Sequence, residues 1–136
     1  MPPWFTSAYR IVTGSDWIFR SVLRGAWGAH PPRFDDALLD EFQRPFKVPG
    51  TAAAFTSMLR YGIQGVPAAT LRSVRTPRLV LWGADDSVDS PASGRKTAAL
   101  LHTRLVAIPG AGHLSMLAAP AAVARDADEF AARAGS

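Results

Sequence analysis

Two short apolar runs in the second half of the chain constrain the fold most strongly. They are Arg78-Leu-Val-Leu-Trp82 and Arg104-Leu-Val-Ala-Ile108, and each is followed directly by a Pro or Gly residue. Short apolar runs bounded by such turn residues are typical of strands that are buried on both faces. Two strands of this kind, about 20 residues apart, favour an α/β fold with a helical crossover between them.

Helices are predicted after each of these strands. Ser90-Pro91 is a helix start, because a capping residue precedes a proline at the first helical position, and this helix extends to about Leu101. Pro120 begins a last helix, in which Val123, Ala127, Phe130 and Ala131 form an apolar stripe. The order strand, helix, strand, helix predicts a βαβα unit, and the short crossover predicts that its two strands are parallel.

The composition divides the chain near Val74. Before it, aromatic residues, Pro and Gly recur, and apolar residues follow helical spacing. We therefore expect two regions, a helical region over residues 1–74 and the βαβα segment over residues 75–136. The predicted helices of the first region cover about residues 16–24, 35–42 (ended by Pro45), a segment that begins at Thr51 and stops at Gly62, and residues 67–72.

Two parallel strands do not by themselves form a protein core, because their faces need helices and their edges need further strands. The sequence offers no other convincing strand. We therefore expect the chain to supply part of a larger sheet, with the remaining strands outside these 136 residues.

Composition and charge exclude several classes of function. With 48% apolar and 19% charged residues the chain is not disordered by composition, and the absence of cysteine excludes a disulfide framework and cysteine-ligated metals. The net charge is +4, but the arginines are scattered without interleaved aromatics, so no nucleic-acid partner is expected. We also expect no metal and no cofactor, because metal-ligand spacing, a phosphate-binding loop and a dinucleotide fingerprint are lacking.

No targeting or membrane segment is apparent. The beginning of the sequence lacks the basic and apolar stretches of a signal peptide, and no apolar run approaches the ~20 residues needed to cross a bilayer. A cytoplasmic protein without a membrane partner is the expectation.

Candidate catalytic residues follow the two strands. Asp86 lies in the loop after the first strand, with Asp85 and Asp89 as close alternatives, and His113 lies in the loop after the second. Because parallel strands end at the same edge of a sheet, a carboxylate and an imidazole would meet there. Such a carboxylate orients the ring, and the histidine carries the proton.

These residues resemble the C-terminal part of α/β-hydrolase proteins. The segment from Thr76 to Val88 fits the Gly-x-x-Asp pattern of the family, which places the acid at Asp86, and the segment 108–113 ends in Gly-x-Gly-His, which places the catalytic histidine at His113. The resemblance implies a partial α/β-hydrolase fold in which residues 1–74 form the helical cap. It also implies an esterase-like or epoxide-hydrolase-like activity on a small apolar ester or epoxide.

The nucleophile of such a triad is not found in this sequence. No Gly-x-Ser-x-Gly occurs, and Gly14-Ser15-Asp16-Trp17, which resembles a Gly-x-Asp-Trp elbow, is better explained as a capped helix start because the bulky Ile18 follows and no strand precedes. Whether the nucleophile is Ser or Asp stays open.

The chain alone is therefore expected to be inactive, with a complementing N-terminal half as a candidate partner. The alternative is a non-catalytic binding module of the same fold, either truncated or completed by a partner. In an epoxide hydrolase, Tyr61 would be a candidate for polarising the epoxide oxygen.

Overall fold

The computed structural model describes residues 4–61 and 65–135. Contacts divide the chain into two compact units. One contains the described residues of Met1–Leu23 and Pro32–Gly65, and the other contains those of Arg24–Pro31 and Val66–Ser136. The predicted stop at Gly62 lies outside the described residues, and the division of the chain into cap and core at Val74 stays a prediction.

The first unit is helical, and the second combines helices with two strands. The helix α2 begins in the first unit, and its last residues, Arg24–Trp27, belong to the second. In chain order the elements are α1 (Trp4–Gly14), α2 (Asp16–Trp27), α3 (Asp36–Lys47), α4 (Thr51–Tyr61), α5 (Ala68–Ser73), β1 (Val80–Gly83), α6 (Pro91–Leu100), β2 (Leu105–Ile108), α7 (Ser115–Ala118) and α8 (Pro120–Ala134).

Aromatic residues form the core of the helical unit. The ring of Tyr9 lies 5.3 Å from that of Phe55, and the ring of Phe19 packs edge-on against Phe46 at 5.4 Å. Such tilted ring pairs stabilise a core beyond the area that they bury. Phe34 of the same unit is 2% exposed.

The helix α3 illustrates one correct and one wrong prediction. The helix begins near residue 35 as expected, and Asp35 caps it, because its carboxylate accepts a hydrogen bond from the Leu38 N–H at 2.9 Å. Pro45, however, does not end the helix, which continues to Lys47. A proline two residues before a helix end removes only one backbone hydrogen bond from the last turn, so the helix tolerates it there.

The second unit contains the predicted βαβα arrangement. The strands β1 and β2 are parallel, with Val80 opposite Leu105 and Gly83 opposite Ile108, and α6 connects them. A side chain at Gly94 of α6 would lie 2.6 Å from the Trp82 ring, so glycine permits the helix to pack closely on β1.

Burial of the two strands is less complete than predicted. Val80 and Ile108 are buried, whereas Ala107 is exposed, so β2 does not have both faces covered. The described residues form a two-stranded parallel sheet with helices, and the predicted fold class is confirmed.

Candidate active site

Asp86 is held in the turn that follows β1. Its side chain is only 4% exposed, and its Oδ1 accepts hydrogen bonds from the backbone N–H groups of Val88 and Asp89, both at 2.9 Å. An aspartate that accepts from N–H groups two and three residues later forms a local turn of its own. The indole Nε1–H of Trp82 donates to the Asp89 carbonyl at 3.1 Å and fixes the end of this turn.

His113 follows β2 and reaches the other carboxylate oxygen. Its Nδ1 lies 3.0 Å from Asp86 Oδ2, and its side chain is 47% exposed. An ionised carboxylate can only accept, so in the neutral imidazole Nδ1 carries the proton and Nε2 has the lone pair. The imidazole is thus oriented by one nitrogen and can take a proton on the other.

The environment of Asp86 favours its ionised form. Burial is the largest single influence and would raise the pKa of Asp86 by itself. The hydrogen bonds from the Asp89 N–H, from His113 and from the Val88 N–H act in the opposite direction and together outweigh it. The pKa of Asp86 is therefore lowered, and the carboxylate is charged at neutral pH.

The α2 C-terminal segment, residues 24–31, fixes the loop that carries His113. Trp27 O accepts from the Gly112 N–H at 2.7 Å, Ala26 O accepts from the Leu114 N–H at 3.1 Å, and Gly110 O accepts from the Ala29 N–H at 2.9 Å. These bonds lie on both sides of His113 in the chain. The backbone on either side of the histidine is therefore anchored, although its ring is half exposed.

Three glycines permit this close approach of backbone to backbone. A Cβ atom at Gly28 would lie 2.4 Å from Gly110 O, one at Gly83 would lie 2.1 Å from Gly112 O, and one at Gly112 would lie 2.5 Å from Ala26 O. Gly28 also has a φ of +112°, a conformation that other residues rarely adopt.

A small cavity opens beside the Asp86–His113 pair. Its volume is about 180 Å³, and Ser115 and Met116 of α7 contribute to its wall. The Ser115 hydroxyl makes no hydrogen bond with the described residues. The full lining consists of Leu81, Trp82, Gly83, Asp86, His113, Ser115 and Met116.

The other candidates from the sequence are not brought to this pair. Asp85 and Asp89 are exposed, and their carboxylates do not contact His113. Asp16 accepts a hydrogen bond from Gln43 Nε2 at 3.0 Å within the helical unit. Tyr61 is 70% exposed at the end of α4.

Within residues 4–61 and 65–135, no three His, Cys, Asp or Glu side chains cluster as metal ligands would. No helix among the described residues has the length and apolarity needed to cross a membrane.

Sequence reasoning missed the backbone groups of this site. The N–H donors of Val88 and Asp89 could have been anticipated, because Asp86-Ser-Val-Asp89 fits an aspartate turn. The contacts of the α2 C-terminal segment could not, because Gly28 alone indicates a special backbone conformation and not its distant partner.

A parallel βαβα unit with an acid after its first strand and a histidine after its second defines the C-terminal part of a hydrolase-type fold. The profile of the Alpha/beta hydrolase family matches residues 1–127, and the chain belongs to this family. No protein in a search of curated sequences matches.

Solved structures with a similar fold include three hydrolytic or degrading enzymes. The first is a serine hydrolase involved in carbazole degradation, the CarC enzyme, with 20% identity and a TM-score of 0.75 over 87% of this chain and 47% of that one. The second is a membrane phospholipase A described as a bacterial virulence factor, with 22% identity and a TM-score of 0.74 over 93% of this chain and 41% of that one. The third is Est816, an N-acyl homoserine lactone degrading enzyme, with 23% identity and a TM-score of 0.64 over 96% of this chain and 52% of that one. The chain spans about half the length of each.

Proposed function

We propose that Asp86 and His113 are the acid and the histidine of a nucleophile–acid–histidine triad that hydrolyses an ester or epoxide in a small apolar substrate. The nucleophile would come from outside these 136 residues. The observation that carries the proposal is the 3.0 Å contact between His113 Nδ1 and a carboxylate whose other oxygen is held by two backbone N–H groups.

In this proposal His113 Nε2 acts as the general base. With a serine nucleophile it would take the hydroxyl proton during attack on the ester carbonyl and return it to the leaving oxygen. With an aspartate nucleophile it would activate the water that cleaves the covalent ester intermediate. In both cases Asp86 keeps the proton on Nδ1 and stabilises the imidazolium that forms.

The surroundings of the pair support hydrolysis of a small substrate. Leu81, Trp82 and Met116 give the adjacent cavity apolar walls, and its volume of about 180 Å³ suits a small acyl or alkyl group. Structural similarity to a protein named as a serine hydrolase favours serine over aspartate as the nucleophile.

A second candidate function is binding without catalysis. It is favoured by the absence of a Gly-x-Ser-x-Gly elbow from the sequence. A binding module of this fold would keep the cavity, and the Asp86–His113 pair would contact a ligand without transforming it.

The experiment that separates the two functions supplies the missing segment. The DNA upstream of the Met1 codon is sequenced, and the encoded polypeptide is joined to this chain. A Gly-x-Ser-x-Gly or Gly-x-Asp-x-Gly elbow after a strand is expected. Hydrolysis of p-nitrophenyl acetate should then fall by about three orders of magnitude or more in Asp86→Ala and His113→Ala.

Asp128→Asn provides the matched control, because Asp128 is exposed on α8 and makes no ion pair with the described residues. Its rate should equal that of the unmodified protein. An upstream region without an elbow, or hydrolysis that survives both alanine substitutions, would contradict the proposed catalysis and favour the binding module.

A further inference from the structure

The Asp86 carboxylate is held by backbone donors that lie in an exposed turn. Residues 87–89 are all exposed, and the N–H groups of Val88 and Asp89 donate to Asp86 Oδ1, both at 2.9 Å. Exposed backbone groups open easily, because few packed contacts hold them and water competes for their hydrogen bonds. The position of the carboxylate therefore depends on what fixes the turn.

Trp82 connects this turn to the sheet. Its indole Nε1–H donates to Asp89 O at 3.1 Å, so a residue that supplies one of the two N–H donors is itself held through its carbonyl. Within the described chain, the other side-chain attachment of residues 87–89 to the rest of the unit is the Ser87 hydroxyl, which donates to Gly25 O at 3.0 Å. The turn is thus attached at both ends, and the attachment at Asp89 is made by Trp82.

The indole ring is in turn fixed by its surroundings. Trp82 lies in β1 opposite Ala107 of β2, so its backbone belongs to the sheet. Its ring packs on α6 at Gly94, where a Cβ atom would lie 2.6 Å from the ring carbon Cδ2. The ring cannot move further toward α6, and its N–H keeps its direction toward the turn. A donor held between a strand and a helix gives the exposed turn a fixed point of attachment.

From this arrangement we infer that Trp82 is a positioning residue for Asp86. Its N–H holds Asp89, whose own N–H holds Oδ1 and so leaves Oδ2 in place for His113. Trp82 acts only through these hydrogen bonds and transfers no proton. The inference concerns the geometry of the Asp86–His113 pair, and its consequence for catalysis rests on the proposed function.

Trp82→Phe tests the inference, because it keeps an aromatic ring against α6 and removes the N–H. Burial raises the pKa of Asp86, and among the interactions that lower this pKa the hydrogen bond from the Asp89 N–H is the largest. The pKa of Asp86, followed by carbon-13 NMR of its carboxyl group, should therefore rise in the variant. The Asp89 amide proton should also exchange with solvent roughly two- to tenfold faster, the factor that one hydrogen bond of ordinary net strength provides.

Two control variants separate positioning from the loss of an indole and from the loss of stability. Trp17→Phe removes an indole that is 79% exposed in the helical unit. Ala98→Gly weakens α6 at a position that is 4% exposed, and it leaves the bond between Trp82 and Asp89 intact. Urea titration measures the stability of each variant, and neither control should change the pKa of Asp86.

A second measurement leaves Trp82 unchanged and decides the question even if Trp82→Phe does not fold. Protonation of Asp86 at acidic pH weakens its hold on Asp89, so the indole N–H resonance of Trp82 should shift with the same midpoint as the Asp86 carboxyl group. Other ionisable groups in the turn, on α6 and after β2 are Asp85, Asp89, Arg95, Lys96 and His113. Carboxyl groups are the ones that titrate near about pH 4. Asp86→Asn should therefore abolish the shift, and Asp89→Asn should retain it.

Three outcomes would overturn the inference. The first is an unchanged pKa of Asp86 in Trp82→Phe. The second is an equal rise of that pKa in Trp17→Phe or Ala98→Gly, which would indicate a general effect of the substitution. The third is an indole resonance of Trp82 that does not follow Asp86. These measurements use the 136-residue chain and no hydrolysis, so a joined protein that fails to hydrolyse p-nitrophenyl acetate would contradict the proposed function alone.

Discussion

At the scale of single residues, the two oxygens of Asp86 have different partners, and this difference determines the state of His113. Oδ1 is occupied by two backbone N–H donors, so only Oδ2 is left to face the imidazole. The neighbouring side chains of Asp85 and Asp89 are exposed to solvent, and among the described residues their two carboxylate oxygens are not held by different hydrogen-bond partners. A single aspartate of the turn is thus fixed by its local backbone.

This division predicts that Asp86→Asn inverts the tautomer of neutral His113. The asparagine oxygen would stay with the N–H groups of Val88 and Asp89, so its NH₂ group would face Nδ1 and move the ring proton to Nε2. Nitrogen-15 NMR of the imidazole distinguishes the two tautomers directly. Asp89→Asn is the control and should keep the proton on Nδ1. If the unmodified chain and both variants had the same tautomer, Asp86 would not be the group that holds the proton on Nδ1.

A second residue-scale prediction concerns acid stability. The pKa of Asp86 is lower in the folded protein than the unfolded value of about 3.9, so its ionised form stabilises the fold above that pH. This contribution is lost as the pH falls from about 3.9 through the folded value. In urea titrations, Asp86→Asn should therefore destabilise the chain at neutral pH and make its stability less dependent on pH in the acidic range.

Asp128→Asn should retain the acid dependence of the unmodified chain, because that carboxylate is exposed and has no described partner. The pKa of Asp40 is also lowered, by its hydrogen bond and charge interaction with Lys47. Asp40 is present in the unmodified chain and in both variants, so it contributes equally to the acid dependence of each. If the stability of the Asp86→Asn variant depended on acidic pH in the same way as that of the unmodified chain, the Asp86 carboxylate would have the same pKa in the folded and unfolded states.

At the scale of elements, the loop after β2 is positioned by the end of a helix far away in the sequence. The α2 C-terminal segment binds this loop through backbone groups, and the Ser87 hydroxyl donates to Gly25 O at 3.0 Å across 62 residues of chain. Backbone-to-backbone contacts of this kind require small residues on both sides. Glycine at 28, 83 and 112 is therefore a structural requirement of the site.

The corresponding prediction is that Gly112→Ala weakens both the fold and the Asp86–His113 contact. The new Cβ would lie 2.5 Å from the backbone oxygen of Ala26, which cannot move without breaking the adjacent hydrogen bonds. We expect a loss of about 2–3 kcal/mol in the free energy of unfolding, measured by urea titration. The His113 imidazole signals should also shift.

Gly25→Ala is the matched control within the same segment. A Cβ atom at this position on the exposed face of α2 would meet no atom within 4 Å, so alanine should stabilise the helix by about 0.5–1 kcal/mol. Equal stability of the Gly112→Ala variant and the unmodified chain would show that the loop is not held as tightly as these contacts indicate.

The elements differ in how well the sequence predicts them. The start of α3 near residue 35, the start of α6 at Pro91 and the two strands follow from local signals, because each depends on residues within a few positions. The short helix α7 was not predicted, since Ser115-Met-Leu-Ala118 carries no side-chain cap and is closed by backbone bonds to Leu114. The contacts of the α2 C-terminal segment join distant positions and leave no local pattern.

The candidate site was predicted in its residues but not in its supports. Asp86 and His113 are predictable from the order of strands and loops, because parallel strands bring their carboxyl ends together. The choice of Asp86 over Asp85 depended on a family resemblance, since all three carboxylates of the turn are equivalent in composition.

At the scale of the whole molecule, the described chain holds a carboxylate and an imidazole in hydrogen-bond contact, and the proposed function assigns them to a triad. The chain spans about half of each similar hydrolase structure, and in its described residues each strand of the sheet pairs along one edge only. A serine or aspartate elbow and an oxyanion hole belong to the nucleophile-bearing part of such a fold. If the proposed function is correct, the Asp86–His113 pair needs a nucleophile that the described residues do not supply.

The 136-residue chain alone should therefore hydrolyse p-nitrophenyl acetate only as free imidazole does. Its three histidines include His30 and His102, which are exposed like His113, so each should contribute a similar share of this slow reaction. His113→Ala and the control His102→Ala should each lower the rate by a similar small amount. Asp86→Ala should leave the rate of the unmodified chain unchanged. A rate far above that of imidazole, which His113→Ala and Asp86→Ala abolish while His102→Ala does not, would mean that the chain contains its own nucleophile. In that case Ser115, whose hydroxyl has no hydrogen-bond partner among the described residues and which lines the same cavity as His113, would be the first residue to replace.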